Sequence, residues 1–332
     1  MIRPIPLLIA ALLVLGLVGS IASAEPLVLH RTIALKGVSG RIDHMAIDVG
    51  RKRLFVAELG NETLDVIDLD AGQVIRRIAG LKEPQGIGYA ANSDVLAIAN
   101  AGDGSVHLFH GADLSAAGVV ALAEDADNVR IDSASGDFVV GYGSGGLAVI
   151  DPTSGAVLAR IRLAAHPESF QIDVSNRRVY VNVPDAQQIA VVDLKSGQQT
   201  ATWRVPGLAA NFPLALDKAE GTIASVFRKP PRLVVLDLRN GNATSNLKSC
   251  ADADDVFFDD RRRRLYVSCG EGTVDVWQSE GTGYRRVGSI KTASGARTSL
   301  FVSALDRLYV AARAGFFGLG SDAAILEFRP VD

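Results

Sequence analysis

The sequence predicts an all-β fold, a seven-bladed β-propeller with four-stranded antiparallel blades. A segment that contains an apolar run, an aspartate, turn residues, an arginine or lysine and a second apolar run occurs seven times, at intervals of 41 to 44 residues. Each copy also contains several short strand-like segments separated by turn residues. A period of about 42 residues with several short strands per copy is typical of propeller blades and not of helical solenoids.

The first repeat shows how the strands of one blade are expected to form. Residues 45–47 end an inner strand, and residues 54–57 form a second strand that is wholly apolar. A short continuous apolar run suits a strand that is buried on both faces, as in stacked blades. Residues 63–68 alternate between polar and apolar and, after a turn at 71–72, residues 74–78 form the outermost strand.

The seventh repeat lacks a fourth strand. It begins at Thr298 and supplies an inner, a second and a third strand, the last of them around residues 326–329. The segment 27–35, before the first repeat, is strand-like. We expect it to pair with the last blade and close the ring, because closure removes unpaired strand edges.

The first 24 residues read as a secretory signal peptide. A basic start at Arg3 is followed by an apolar run and by the small residues Ala22, Ser23 and Ala24. The alternative is an uncleaved anchor, although the run is short for a bilayer span. We therefore expect a single propeller domain over residues 25–332, located in the periplasm or secreted, with no stable membrane insertion after cleavage.

Several repeats carry a family resemblance. Residues 178–182 read Arg-Val-Tyr-Val-Asn and residues 190–197 read Ala-Val-Val-Asp-Leu-Lys-Ser-Gly. Together they resemble the YVTN-repeat β-propellers of the YncE-like group, as do residues 53–57 and 264–268. The resemblance covers the whole chain after the signal peptide and implies an exported seven-bladed propeller, a kind of protein whose role is often unassigned. The WD40 signature of Gly-His and Trp-Asp pairs is absent from this sequence.

The charge balance gives no reason to expect nucleic acid as a partner. The chain has 34 basic and 37 acidic residues, a net charge of −3. The dense basic cluster at 261–264 falls between the first two strands of the sixth repeat, so we interpret it as a solvated hairpin turn. A monomer is expected.

Two columns of residues precede the apolar part of the inner strands and should meet at one end of the axial channel. The first column consists of Asp43, Pro84, Asp127, Glu168, Phe212, Asp254 and Arg297, and the second consists of His44, Gln85, Asn128, Ser169, Pro213, Asp255 and Thr298. Most of these positions are polar, although the strand residues that follow them are largely apolar. Convergent polar groups around a concavity predict a ligand site, and the alternative is a channel mouth that holds only water.

Five carboxylates, one histidine and one arginine in the two columns should perturb one another's protonation. This mixture favours a cation or a polar, partly cationic small molecule. The predicted ligand-binding residues are Asp43, His44, Gln85, Asn128, Glu168, Asn211, Asp254, Asp255 and Arg297. His166 is a further candidate for the same rim.

A bound divalent metal is an alternative that the sequence leaves open. Calcium could take oxygen ligands from the set Glu168, Asn128, Asn211, Asp254 and Asp255, whereas His44 with carboxylates would suit a transition metal. No contiguous ligand motif supports either ion, so we assign no cofactor.

The two cysteines, Cys250 and Cys269, are predicted to form a disulfide. An even number of cysteines in an exported chain favours pairing. Cys250 precedes the sixth inner strand, and Cys269 ends the strand that returns to the same rim. The alternative, a reactive or metal-binding dithiol, lacks CxxC spacing.

Two functions follow from these observations. The first is an exported, non-enzymatic propeller that binds a small polar ligand or a periplasmic partner protein at the rim. The second is a metal-assisted hydrolase of the lactonase type, in which rim carboxylates hold a divalent ion. No haem attachment motif, phosphate-binding glycine loop or Gly-x-Ser-x-Gly elbow is present in the sequence.

Overall fold

A computed structural model describes residues 25–281, 283–315 and 322–332. These residues form seven four-stranded antiparallel sheets, which are the seven blades of a β-propeller, as the sequence predicts. The predicted signal peptide, residues 1–24, lies outside the described residues. Within the described ranges, no helix is long and apolar enough to cross a membrane.

The strands are numbered along the chain and follow the predicted order of the repeats. The first strand is β1 (Leu27–Leu35). Blade 1 contains β2 (Met45–Asp48), β3 (Arg53–Glu58), β4 (Thr63–Asp68) and β5 (Gln73–Ala79). Blade 2 contains β6 (Pro84–Ala90), β7 (Val95–Asn100), β8 (Ser105–His110) and β9 (Ala116–Ala121). Blade 3 contains β10 (Ala126–Ile131), β11 (Phe138–Tyr142), β12 (Gly146–Ile150) and β13 (Val157–Arg162).

The remaining blades have the same arrangement. Blade 4 contains β14 (Phe170–Asp173), β15 (Arg178–Val183), β16 (Gln188–Asp193) and β17 (Gln198–Trp203). Blade 5 contains β18 (Ala209–Asp217), β19 (Thr222–Lys229), β20 (Pro231–Asp237) and β21 (Ala243–Lys248). Blade 6 contains β22 (Ala253–Asp259), β23 (Arg264–Cys269), β24 (Thr273–Glu280) and β25 (Gly283–Lys291). Blade 7 contains β26 (Ser299–Val302), β27 (Arg307–Ala312), β28 (Ala323–Pro330) and β1. The described residues also contain short 3-10 turns at Leu59–Asn61, Pro184–Ala186 and Ser303–Leu305.

The hydrophobic core lies between neighbouring blades. Phe55 and Leu64 of blade 1 pack in one cluster with Leu96 and Ile98 of blade 2, and all four side chains are fully buried. The second and third strands of blade 1 are therefore covered on both faces, which explains the continuous apolar run of the second strand. An outermost strand such as β17 has one solvated face and alternates between exposed and half-buried residues.

The ring is closed by β1, which confirms the predicted closure. This strand pairs antiparallel with β28, from Leu27 opposite Pro330 to Leu35 opposite Ala323. Its buried residues Ile33 and Leu35 enter the cluster between blades 7 and 1. The first and last blades are thus joined by backbone hydrogen bonds as well as by packing.

The turn that contains the arginine cluster differs from the prediction. The side chain of Arg262 is only 6% exposed and bridges Asp259 of its own blade and Asp306 of blade 7. Arg261 and Arg263 have exposed side chains, at 66% and 46%. The prediction of a solvated turn is therefore wrong for Arg262, because the turn abuts the next blade.

Candidate functional site

The inner strands begin at one face of the ring, and several of them are irregular where the two predicted columns lie. The pairing register shifts between Pro84 and Ile87 in blade 2, between Ala126 and Val129 in blade 3 and between Asn211 and Leu214 in blade 5. A similar shift follows Ala253 in blade 6. Such bulges bend a strand and redirect its side chains. Here they interrupt the regular pairing of the inner strands at the channel mouth, where the residues of the two columns lie.

The columns from distant blades meet at the axis. The Nδ1 atom of His44 in blade 1 lies 4.0 Å from Oδ1 of Asp255 in blade 6, and its Nε2 atom lies 3.9 Å from Oδ1 of Asp43. The Asp127 carboxylate of blade 3 is close enough to both His44 and Asp43 to affect their pKa values. Residues from blades 1, 3 and 6 therefore share one small volume at the mouth of the channel.

Arginines account for much of the charge at this mouth. The Nη2 atom of Arg41 lies 2.7 Å from Oδ2 of Asp43, and Nε of Arg297 lies 2.8 Å from Oδ2 of Asp254. Arg228 donates a hydrogen bond to Asp254 and stacks over the Phe212 ring, with Cζ 3.6 Å from the ring centroid. The sequence predicted only Arg297 among these three cations.

Arg297 and Arg228 also share a second carboxylate, Asp252. Arg297 donates to both carboxylate oxygens of Asp252 at 3.0 and 2.9 Å, and Nε of Arg228 lies 3.5 Å from Oδ1 of the same residue. Each arginine is thus held between Asp252 and Asp254. These ion pairs hold the charged side chains in place on the part of the mouth that blades 5 to 7 form.

His166 belongs to the same group. Its Nδ1 atom lies 2.6 Å from the Gly143 carbonyl oxygen and 3.5 Å from Oδ2 of Asp125, while Nε2 lies 3.8 Å from Oδ2 of Asp127. We call the whole group the rim cluster. It consists of Arg41, Asp43, His44, Asp125, Asp127, His166, Glu168, Arg228, Asp252, Asp254, Asp255 and Arg297.

Burial and mutual repulsion shift the pKa values of several rim carboxyls. Burial, together with the Asp127 and Asp254 charges, raises the pKa of Glu168 to about 7. Burial also raises the pKa of Asp255 to about 6, even though His44 opposes the shift. The pKa of Asp43 is raised by burial as well. Near neutral pH, the rim therefore holds carboxyl groups that can gain or lose a proton.

The pKa values of the two rim histidines are raised, which favours their cationic forms. Burial acts to lower the pKa of His166, but Asp127, the Gly143 carbonyl and Asp125 outweigh it and raise the pKa to about 9. For His44, Asp43 and Asp255 likewise overcome the effect of burial and raise the pKa. Asp127, close to both imidazoles, has a lowered pKa although burial opposes that shift. His166 and Asp127 thus form an ion pair at neutral pH.

Some predicted site residues have mainly structural contacts. Asn211 is fully buried and donates hydrogen bonds to Oδ1 of Asn182 at 2.7 Å and to the Gln188 carbonyl at 2.9 Å, so it ties blade 5 to blade 4. Gln85 accepts a hydrogen bond from Arg41 at 3.4 Å. Asn128 is buried, and its Oδ1 atom has no hydrogen-bond partner among the described residues.

Below the rim, the channel contains a cavity of about 350 Å³. His44 and Asp255 line it at the rim end, and the walls are mostly apolar. Four polar side chains interrupt these walls, namely Tyr89, Arg130, Gln171 and Ser299. A larger groove of about 690 Å³ lies on the opposite face between blades 4 and 5, but it is lined by turn residues far from the rim cluster.

Arg130 and Gln171 were not predicted, yet the sequence contains a signal for them. They lie two positions after the second column, where the other members are Ala46, Ile87, Ala215, Phe257 and Leu300. A charged residue in an otherwise apolar column that faces a channel marks a position where packing does not explain the side chain. Arg228 has a weaker signal, since it lies near the end of β19, which returns to the rim face.

The rim cluster does not fit a divalent metal ion. Among the described residues, no three His, Cys, Asp or Glu side chains are grouped so that they could hold one. Of the oxygen donors considered for calcium, Asp254 is bound by two arginines, and Asp255 accepts a hydrogen bond from the Ser299 amide at 2.7 Å. We therefore derive no chemical step through a metal.

Cys250 and Cys269 form the predicted disulfide, with their Cα atoms 6.0 Å apart. The bond links the segment before β22 to the end of β23, next to Asp252, Asp254 and Asp255. It is part of the frame that holds the blade 6 side of the rim.

Comparison with known proteins supports the architecture. The chain is similar to a solved chain of Kuenenia stuttgartiensis hydrazine synthase, with a TM-score of 0.74, 13% identity and coverage of 85% of this chain and 94% of that one. It is also similar to a chain in the crystal structure of the mitotic checkpoint complex, with a TM-score of 0.76, 13% identity and 99% coverage of both chains. No protein-family model and no curated protein matches the chain. Since both structural matches are at 13% identity, they show the propeller fold alone, and the resemblance to YVTN-repeat propellers stays a prediction.

Proposed function

We propose that this protein is an exported propeller that binds a small polar ligand at the rim cluster. The observation that carries the proposal is the convergence of carboxyl groups, arginines and histidines from several blades at the mouth of the axial cavity. Fixing so many desolvated charges in one place costs folding free energy, which a purely structural channel mouth does not require. Sites of this kind, with perturbed pKa values beside a cavity, are characteristic of ligand recognition.

The structure changes the expected ligand. The sequence alone favoured a cation or a polar, partly cationic small molecule, because carboxylates outnumbered the one arginine of the two columns. Arg41, Arg228 and the raised pKa of His166 add positive charge, so the rim presents donors and acceptors together. A polar molecule with both hydrogen-bond donors and acceptors fits this mixture better than a simple cation.

Export is the second part of the proposal. The predicted signal peptide, the resemblance to exported YVTN-repeat propellers and the disulfide all favour an oxidising compartment such as the periplasm. A disulfide is uncommon in a chain that stays in a reducing cytoplasm.

A thermal-shift screen of sugars, polyols, amino acids, amines and organic acids tests the proposed ligand site. A compound at 100 times its dissociation constant should stabilise the folded protein by about 2.7 kcal/mol. Each hit would then be titrated by calorimetry into the wild type, Glu168→Gln and Asp254→Asn. We expect both variants to weaken binding at least about tenfold, the loss of roughly one charged hydrogen bond.

Asp70→Asn is the matched control, because Asp70 is a carboxylate with a 72% exposed side chain in an outer turn. It should leave the affinity unchanged. The proposal fails if no compound stabilises the protein, or if every hit binds the rim variants as tightly as the wild type.

A further inference from the structure

Arg130 is a charged side chain inside an apolar channel. It lies on β10, the inner strand of blade 3, and lines the cavity together with Ala46, Ile87, Phe257 and Leu300. Its guanidinium lies 5.6 Å from the centroid of the Phe170 ring. Arginine keeps its charge in proteins even where burial opposes it. The cavity therefore contains a permanent positive charge in apolar surroundings.

The guanidinium has few partners of its own. Among the described residues, its one hydrogen bond runs from Nη1 to the Val129 carbonyl of its own chain segment, at 2.9 Å. No carboxylate of the described chain forms an ion pair with it, in contrast to Arg41, Arg228 and Arg297 at the rim. A guanidinium offers five N–H donors, so most of its hydrogen-bonding capacity is unused by the protein.

The nearest negative charges act on Arg130 from a distance. Burial lowers its pKa, and the Asp255 and Asp127 carboxylates oppose that shift without contacting the side chain. The other polar side chains of the cavity wall are neutral and have partners elsewhere. The Gln171 amide donates to the Leu214 carbonyl at 2.9 Å, the Tyr89 hydroxyl donates to Asp94 at 2.7 Å, and the Ser299 hydroxyl is hydrogen-bonded to Ser268 at 2.8 Å. Among the described residues, the Arg130 guanidinium therefore has no carboxylate in contact with it.

We propose that Arg130 anchors the carboxylate of a small organic acid whose apolar part lies against Phe257, Leu300, Ile87 and Ala46. A carboxylate matches the guanidinium fork with two parallel hydrogen bonds, which a neutral oxygen cannot do. The apolar walls give no partner for a second charge at that depth, and this excludes polyanions. A cavity of about 350 Å³ is at the small end for ligand sites and limits the acid to roughly three to eight carbon atoms.

This inference rests on the proposed function, because it names the class of ligand that enters through the rim. The polar end of the acid, a hydroxyl or amine, would face Asp255 and His44, which line the rim end of the same cavity. The rim cluster would then contact one end of the ligand, and the channel would contact the other.

The test uses the full-length protein after signal cleavage and a panel of three- to eight-carbon monocarboxylic acids, plain or with a hydroxyl or amino group. The matched primary amides and amines and inorganic phosphate complete the panel. Calorimetry would compare the wild type, Arg130→Gln and Arg130→Lys. Arg239→Gln is the control, since Arg239 has an 86% exposed side chain on the opposite face.

We expect an acid to bind the wild type and the control with the same affinity, and its amide to bind both at least about tenfold more weakly. The affinity of Arg130→Gln for the acid should be lower than that of the wild type by a similar factor. Arg130→Lys should bind with intermediate affinity. As a readout that needs no variant, the Arg130 side-chain NMR signal of the wild type should shift on addition of the acid and not of the amide.

The inference is overturned if acids bind Arg130→Gln as tightly as the wild type, or if phosphate or the amides bind better than the acids. If amides or amines bind and lose affinity on Glu168→Gln, the rim proposal stands and the role of Arg130 falls. If no compound of this panel binds, the role of Arg130 falls, and the rim proposal falls with it only if the sugars and polyols of the thermal-shift screen also fail to bind.

Discussion

His44 of the first blade lies 4.0 Å from Asp255 of the sixth blade, across the mouth of the axial channel. The pair lies where the rim cluster meets the apolar cavity, and each residue affects the protonation of the other. Asp255 helps to raise the pKa of His44, and His44 opposes the rise in the pKa of Asp255 that burial causes. A ligand that enters the cavity from the rim would pass this pair.

We predict that Asp255→Asn lowers the pKa of His44, because the substitution removes one of the two main charges that raise it. A long-range ¹H–¹⁵N NMR titration would follow the five histidines of the chain, with His44→Gln used to assign the signal. Asp70→Asn should leave the titration of His44 as it is in the wild type. The coupling across the ring would be refuted by a His44 titration that is the same in Asp255→Asn and the wild type.

Glu168 should make the free energy of unfolding depend on pH. Its pKa rises from an ordinary value of 4.5 to about 7, so the folded protein holds a proton that the unfolded chain releases in this range. Stability contributed by this group therefore falls as pH rises from about 4.5 to 7, by about 1–3 kcal/mol.

Glu168→Gln removes this effect, so the variant should be more stable than the wild type at about pH 8 and similar to it at about pH 4.5. Urea unfolding at the two pH values measures the difference. Asp70→Asn should show no such change. An equal difference between Glu168→Gln and the wild type at both pH values would contradict the assigned shift.

In the basic cluster at 261–264, Arg262 should contribute more to stability than its neighbours Arg261 and Arg263. It donates hydrogen bonds to Asp306 at 2.6 and 2.9 Å and joins blade 6 to blade 7. We expect Arg262→Gln to lower the free energy of unfolding by about 2–4 kcal/mol, because Asp259 is left buried without its cation.

Arg261→Gln is the natural control from the same turn, since that side chain is 66% exposed. It should change stability by less than about 0.5 kcal/mol. Similar losses in the two variants, measured by chemical unfolding, would show that the buried contact has no special role.

The disulfide should stabilise the sixth blade. Its cysteines are separated by 19 residues, and closing a loop of this size restricts the unfolded chain. We expect Cys250→Ser with Cys269→Ser to lower the free energy of unfolding by about 3 kcal/mol in the chain-entropy model. Thermal unfolding of the wild type with and without reductant provides the matching comparison. Identical stability of the oxidised and reduced protein would contradict the prediction.

The fold could be predicted almost completely because the same pattern of strands and turns recurs in every blade. The bounds predicted for the third strand of the first blade, residues 63–68, are those of β4, although the alternation in the sequence is not an alternation in burial, since Thr63 and Asp65 are buried too. The closing strand β1 could be predicted because the last repeat lacked one strand. Each such inference draws on a local pattern that recurs at a fixed period.

The rim was only partly predictable. Column positions brought Asp43, His44, Glu168, Asp254 and Asp255 into one group, but the partners of these residues come from other positions. Arg41 lies in a loop before the first repeat, and Arg228 lies on a second strand. Contacts of this kind depend on how side chains cross between blades, which the repeat period does not encode.

The pairing of Leu27 with Pro330 places the two ends of the ring side by side, on the face away from the rim cluster. A short linker between these two positions would make the propeller a continuous circle. New termini could then be opened in a turn on that same face, such as the one between β16 and β17, so circular permutation would leave the channel mouth intact. The protein could also be attached to a surface through either end without obstructing that mouth.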